Sequence, residues 1–277
     1  MAERFVFTIT TGRSGSAYLA ELLESNLEDA VVFHERTGWL NFGVVTPDLS
    51  DFTVFNSVGN VEKVQAFWRR KLARDLAGPR RVHAEASHLL AKAGLIENLG
   101  LLTQKGATVE IVVLQRDVLA TLWSFYNRFD FVNNGLAWAF YLDIAYPNVI
   151  VDSSPFRSQG VAGRALWYII EMRARAAYYR HLMADRAGIR FHGVDLGDIA
   201  APAGAQALFD AMELAPARPV ACPPPRNETA QNFFGEREKE ALARLIARFA
   251  FDAEELGLSY YRSGWRLAAG RASRQAG

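Results

Sequence analysis

Short apolar runs alternate with longer stretches whose apolar residues fall three and four apart. Phe5 to Thr10 reads as a strand, and Tyr18, Leu19, Leu22, Leu23 and Leu27 form one helix face behind it. Ala30 to Phe33 predicts a second strand, ending in His34-Glu35-Arg36. Thr37 to Gly59 is rich in Gly, Asp, Ser and Thr and reads as loop. Val61, Val64, Phe67, Trp68, Leu72 and Leu76 mark a helix stopped by Gly78-Pro79. Arg81 to Ala86 is a third strand, followed by a helix from about His88. Val109 to Leu114 (VEIVVL) is short, apolar and β-branched, the pattern of a central strand. It runs into Arg116-Asp117 and a helix carrying Leu119, Leu122, Trp123 and Tyr126. After the aromatic, turn-rich stretch Phe129 to Ser158, a long helix is expected from Val161 to Ala187 and a strand from Ile189 to Val194. Two later helices, Ala205–Leu214 and Glu236–Phe251, flank a proline-rich loop from Pro216 to Asn232.

Repeated strand–turn–helix units predict an α/β fold, three layers (α/β/α) around a central parallel sheet. No internal repeat or dividing linker is visible, so one domain is expected over 1–265, with 266–277 as a loose tail. Ligands of such folds bind at the carboxyl ends of the strands, which directs attention to the residues just after each one.

Composition narrows the classes. Half of the 277 residues are hydrophobic, 22% are charged and the net charge is +1, which argues against a strongly basic nucleic-acid binder. Cys222 is the only cysteine, so neither a disulfide framework nor a cysteine-based zinc site is available. No stretch reaches the ~20 apolar residues of a membrane span, and the first apolar run ends too soon for a signal peptide; a cytoplasmic protein is expected. The 31 basic residues include only five lysines. Arginine grips oxyanions through a two-pronged fork, where lysine offers a point charge.

Thr11 to Ala17 joins the first strand to the first helix. The backbone N–H groups of Gly12, Arg13, Ser14, Gly15, Ser16 and Ala17 would cradle a phosphate or sulfate there, helped by the helix dipole. The nucleotide-triphosphate pattern G-x-x-x-x-G-K-S/T does not fit. Ser16 and Ala17 stand where its lysine and Mg²⁺-binding hydroxyl belong.

An anion cradle without the metal-binding parts resembles the sulfotransferase family, which uses 3′-phosphoadenosine 5′-phosphosulfate (PAPS). Its 5′-phosphosulfate loop reads roughly Lys or Arg, Ser or Thr, Gly, Ser or Thr after the first strand, and Arg13-Ser14-Gly15-Ser16 matches. Carbohydrate, protein-tyrosine and many bacterial members carry arginine at its head. A second family motif is an arginine after a later strand with a serine eight residues on, both on the 3′-phosphate; Arg116 and Ser124 match. A looser likeness lies at Gly193 to Ile199, with Asp195 and Asp198.

The resemblance implies a P-loop NTPase-like sulfotransferase fold and metal-independent transfer of a sulfuryl group to an acceptor hydroxyl, leaving 3′,5′-ADP. The acceptor would be a glycan, a lipid or a small natural product. Arg13 is the candidate for the leaving side, as a fixed hydrogen-bond donor. Two residues compete as general base: Glu35, which closes the second strand, and His88, in an Ala86-Ser87-His88-Leu89 context. Glu35 is preferred, because an arginine loop and a glutamate travel together in the family; His88 would then orient the acceptor or contact the sulfuryl oxygens. His34 and Glu85 are secondary candidates. Arg226 lies where family members fold a basic segment over the 3′-phosphate, although the R-K-G-x-x-G segment of the cytosolic enzymes is missing. The aromatic residues from Phe125 to Tyr146 are read as core that could also wall an acceptor pocket. The alternatives are a P-loop kinase or NTPase with a degenerate loop, or a non-catalytic nucleotide-binding protein.

Overall fold

Five strands carry the centre of the chain: β1 (Arg4–Ile9), β2 (Ala30–His34), β3 (Val82–Ala86), β4 (Thr108–Gln115) and β5 (Ile189–Asp195). The structure, a computed structural model, describes residues 2–132, 140–224 and 232–270. All strand pairs are parallel, in the order β2-β3-β1-β4-β5. The principal helices are α1 (Ser16–Asn26), α2 (Leu49–Val58), α3 (Glu62–Leu76), α4 (Val118–Asn127), α5 (Gly160–Leu182), α6 (Pro202–Ala211), α7 (Glu236–Arg248) and α8 (Ala253–Arg262).

Alternation along β1 divides the core. Phe5, Phe7 and Ile9 join Val109, Ile111 and Val113 against Phe52, Phe55, Trp68, Leu122 and Trp167 from α2, α3, α4 and α5. Val6 turns the other way with Ala84 and Val112, onto Leu19, Leu22 and Leu23 of α1 and Leu208 and Phe209 of α6. The result is the expected three-layer α/β/α arrangement. β1 leads toward β2 and β3, whereas the connection from β3 crosses to β4 on its other side. The carboxyl end of β1 is therefore the switch point where a ligand crevice opens.

Four expectations need correction. Thr37–Gly59 is not loop throughout, because α2 lies inside it, capped by the Asp48 carboxylate accepting from Asp51 N at 2.8 Å. Its buried residues are Asp51, Phe52, Phe55 and Asn56, and two apolar side chains are too few to show against the polar background. The helix expected from His88 is a 3₁₀ turn, Leu90–Ala93, then short helical turns after Gly94 at φ +90°. This segment is buried on all sides, which removes the periodicity that distinguishes a helix. After α7 the chain turns at Asp252 into α8, which was not foreseen. The loose tail begins too early at 266: Leu267 is fully buried, and its carbonyl accepts from Asn148 Nδ2 at 2.9 Å. Among the described residues no helix is long and apolar enough to cross a membrane.

Candidate active site

The loop after β1 is braced from within. Thr11 Oγ1 and Ser14 Oγ share a hydrogen bond at 2.7 Å, and the Gly12 carbonyl lies 2.8 Å from the first and 3.2 Å from the second, accepting the proton that remains. Gly12 (φ +77°), Arg13 (φ +56°) and Gly15 (φ +97°) all adopt left-handed backbone. A side chain at Gly15 would run into Leu196, and one at Gly12 would press on His88. α1 then starts without a capping side chain or an acidic residue in its first turn. Its first N–H groups and dipole are free to meet an anion.

A cavity of about 330 Å³ opens above this loop, lined among others by Gly12, Arg13, Gly15, Ser16, Ala17, Glu35, His88 and Arg116. That volume falls in the range of small-ligand pockets, ~300–1,000 Å³. The Arg13 loop and the Arg116–Ser124 pair meet here. Arg13 Nε donates to Ser124 Oγ at 3.1 Å, and an Arg116 N–H donates to the Arg13 carbonyl at 3.4 Å. Ser14 and Ser124 are buried and do not line the cavity; they hold the loop and Arg13 from behind. Arg173, unnoticed in the sequence, donates to the Arg116 carbonyl at 2.6 Å and fixes that strand end. Arg128 and Asp130, also unforeseen, stand on the cavity wall as a pair at 3.7 Å. Burial raises the Asp130 pKa. Neither had a signal in the sequence, because both lie on the turn after α4 and not at a strand end.

Glu35 is the second non-glycine residue of the cavity with left-handed backbone, at φ +40°. Such positions cost about 1–3 kcal/mol and gather at functional sites. It is held from both sides: Glu35 N donates to the Ala86 carbonyl at 3.3 Å, and the Arg36 guanidinium bonds Glu85. Its Oε1 accepts from Ser16 Oγ at 3.3 Å and lies 3.6 Å from His34 Nε2 and 3.8 Å from His88 Nε2. Burial opposes the carboxylate, yet His88, His34, Lys92 and the Ser16 hydroxyl outweigh it and hold its pKa below the ordinary value. His88 is pushed down to about 3, chiefly by burial and then by the charge of Lys92. It is therefore neutral near pH 7, so there its own contribution to Glu35 is withdrawn. At neutral pH the cavity presents an ionised carboxylate beside an uncharged imidazole, which stacks on Tyr141 with centroids 5.4 Å apart.

Other expected residues lie elsewhere. Glu85 turns into the core, where Lys71 Nζ reaches it at 2.7 Å and Asp75 at 2.8 Å. Glu85, Asp75 and His83 offer metal-ligating atoms within 4.8 Å of one another, but the Lys71 ammonium and Arg36 already serve the two carboxylates. Asp195 caps a helical turn, accepting from Gly197 N at 2.8 Å, and Leu196 is the residue of that segment on the cavity. Phe125, Phe131 and Tyr141 form core with Tyr168, as expected, with Tyr141 also on the cavity wall. Arg226 and Trp138 lie outside the described residues. No family model and no curated protein matches the chain.

Proposed function

We propose that the chain is a metal-independent sulfotransferase that moves a sulfuryl group from 3′-phosphoadenosine 5′-phosphosulfate to an acceptor hydroxyl on a glycan, lipid or small natural product. The observation that carries this reading is the joining of Arg13, Ser124 and Arg116 around one left-handed loop at the start of α1. Two arginine forks and a row of amide N–H groups suit a ligand with phosphate at both ends of a nucleoside. Ser16 and Ala17 stand where a metal-dependent phosphoryl-transfer loop needs lysine and a hydroxyl.

The donor brings the activated sulfuryl group. Glu35, ionised and facing the cavity, takes the acceptor proton as the new oxygen–sulfur bond forms. The bond from sulfur to the bridging phosphate oxygen breaks, and the charge left on the phosphate is met by Arg13 and the N–H groups of α1. These groups are fixed in place beforehand, which is where electrostatic catalysis draws its strength.

Transfer of labelled sulfate from the donor to fractionated extracts tests the reading. A labelled product that disappears in Glu35→Gln supports it. Mg²⁺-dependent ATP turnover would favour a kinase or NTPase instead. Nucleotide binding that survives Glu35→Gln and His88→Ala, with no transfer to any fraction, would favour a non-catalytic nucleotide-binding protein.

A further inference from the structure

Lys92 is the one buried lysine of the cavity region, and its Nζ has no carboxylate within ion-pair distance among the described residues. It lies 2.9 Å from His88 Nδ1 and 2.9 Å from the Tyr168 hydroxyl, and it donates to the Phe140 carbonyl. A carbonyl only accepts, so Phe140 takes one Lys92 proton. Tyr168 spends its own proton on the Thr11 carbonyl at 2.8 Å, so its oxygen accepts a second. What faces His88 Nδ1 is then either the third proton of an ammonium or the lone pair of an amine. An ammonium requires the proton of a neutral His88 on Nε2. An amine requires it on Nδ1.

The surroundings choose between them. The rings of Tyr168, Tyr141 and Phe52 stand 5.1, 5.3 and 5.8 Å from Nζ, a three-sided aromatic enclosure that favours a cation. Burial, with Arg175 adding to it, draws the Lys92 pKa well below the ordinary lysine value, and Glu35 offsets this only in part; the ring enclosure is what favours the ammonium.

We propose that Lys92 is a positioning residue that holds His88 as the Nε2–H tautomer. His88 then faces the cavity as a hydrogen-bond donor and cannot compete with Glu35 for the acceptor proton. The consequence for Glu35 rests on the sulfotransferase reading; the tautomer itself does not. Through Tyr168 and Thr11 the same lysine also ties His88 to the anion loop. The groups facing His88 are Glu35 and His34 from the end of β2, Arg13 from the loop, Tyr141 from the opposite wall and Lys92 itself.

The test is long-range ¹H–¹⁵N correlation on the nucleotide-free wild-type chain with labelled histidine, His88 being assigned by its loss in His88→Gln. The expected result is a protonated Nε2 and an accepting Nδ1, unchanged from about pH 8 to about pH 5, where an ordinary histidine titrates. An Nδ1–H tautomer, or an imidazolium at neutral pH, overturns the proposal, and this readout needs no Lys92 variant to fold. In folded Lys92→Met the signature should give way to mixed tautomers, with the titration moving up toward the ordinary histidine range. His88 resonances identical to wild type in that variant overturn it equally. A chain that keeps the Nε2–H signature yet fails to prefer 3′,5′-ADP over ADP would remove the sulfotransferase reading and leave the tautomer assignment standing.

Discussion

Replacing Lys71 with methionine removes the cation that serves two buried carboxylates. The side chains of Lys71 and Glu85 are 0% exposed and that of Asp75 is 2% exposed, with Lys71 Nζ at 2.7 and 2.8 Å from their oxygens. Methionine keeps the stem and the packing but leaves Arg36 as the main counter-charge. Breaking a buried pair by deleting one partner costs about 3–5 kcal/mol. At ~2.1 cal/mol/K per residue, 277 residues give a melting entropy of about 0.6 kcal/mol/K, so Tm should fall by about 5–8 °C. The sign of the pH dependence follows from Glu85. Burial opposes its ionised form, but Lys71, His83 and Arg36 more than compensate and hold its pKa well below the ordinary value. Stability from that carboxylate is therefore present above the unfolded pKa and is lost as the pH falls toward the folded one. Without Lys71, burial is opposed less and the carboxylate protonates more readily on acidification. The gap between wild type and variant should thus be widest near pH 7 and narrow toward about pH 5. Circular-dichroism melts across this range measure it, with Lys63→Met as a surface control. A loss under ~1 kcal/mol at pH 7, or a gap that stays constant with pH, would refute the reasoning. Because Arg36 is anchored on Glu85, the same variant should also loosen the backbone that sets Glu35.

Arg116→Ala should weaken 3′,5′-ADP binding by about 10- to 150-fold, the value of a charge-assisted hydrogen bond, and weaken ADP binding much less. Equal losses for both nucleotides in calorimetry would take Arg116 off the 3′-phosphate. Glu35→Gln should lower turnover by about 10²–10⁴-fold with 3′,5′-ADP affinity retained, and full turnover in that variant would move the base elsewhere. Glu97 is half-buried as a residue, but its Oε2 is shut away without a partner while Oε1 accepts from Tyr179 at 2.7 Å. Burial, opposed only in part by the Tyr179 bond, raises its pKa to about 7, so the folded chain binds this proton more tightly than the unfolded one. Stability should fall as pH rises from about 4.5 to about 7, and Glu97→Gln should recover up to about 3 kcal/mol at pH 8 and little at pH 5. Destabilisation by that substitution at pH 8 would contradict this.

Much of the fold was legible because β1 and β4 are short apolar runs, one followed two residues on by Gly12-Arg13 and the other directly by Arg116, each with a 3/4-spaced face behind it. The switch-point rule then brought Arg13 and Arg116 to one crevice, and the cavity contains both. Glu35 and His88 were reachable in the same way, as residues just beyond strand ends. Lys92, Arg128, Asp130 and Arg173 were not. Lys92 sits in a 3₁₀ turn with no amphipathic pattern, and Arg173 is one basic residue on a helix whose surroundings are largely buried. Their importance comes from contacts across the chain, such as Lys92 with Tyr168 and Arg173 with the Arg116 carbonyl, which local spacing does not encode. α2 was hidden for a related reason: two phenylalanines and a capping aspartate make a helix only once a core is there to receive them.

The central claim is that the crevice reads phosphate at both ends of a nucleoside. Titration calorimetry of the wild-type chain with 3′,5′-ADP and, separately, with ADP, without added metal, tests it directly. The account predicts that 3′,5′-ADP binds at least about 10-fold more tightly, since one further arginine–phosphate contact is worth ~1.5–3 kcal/mol. Equal affinity for the two nucleotides would contradict it.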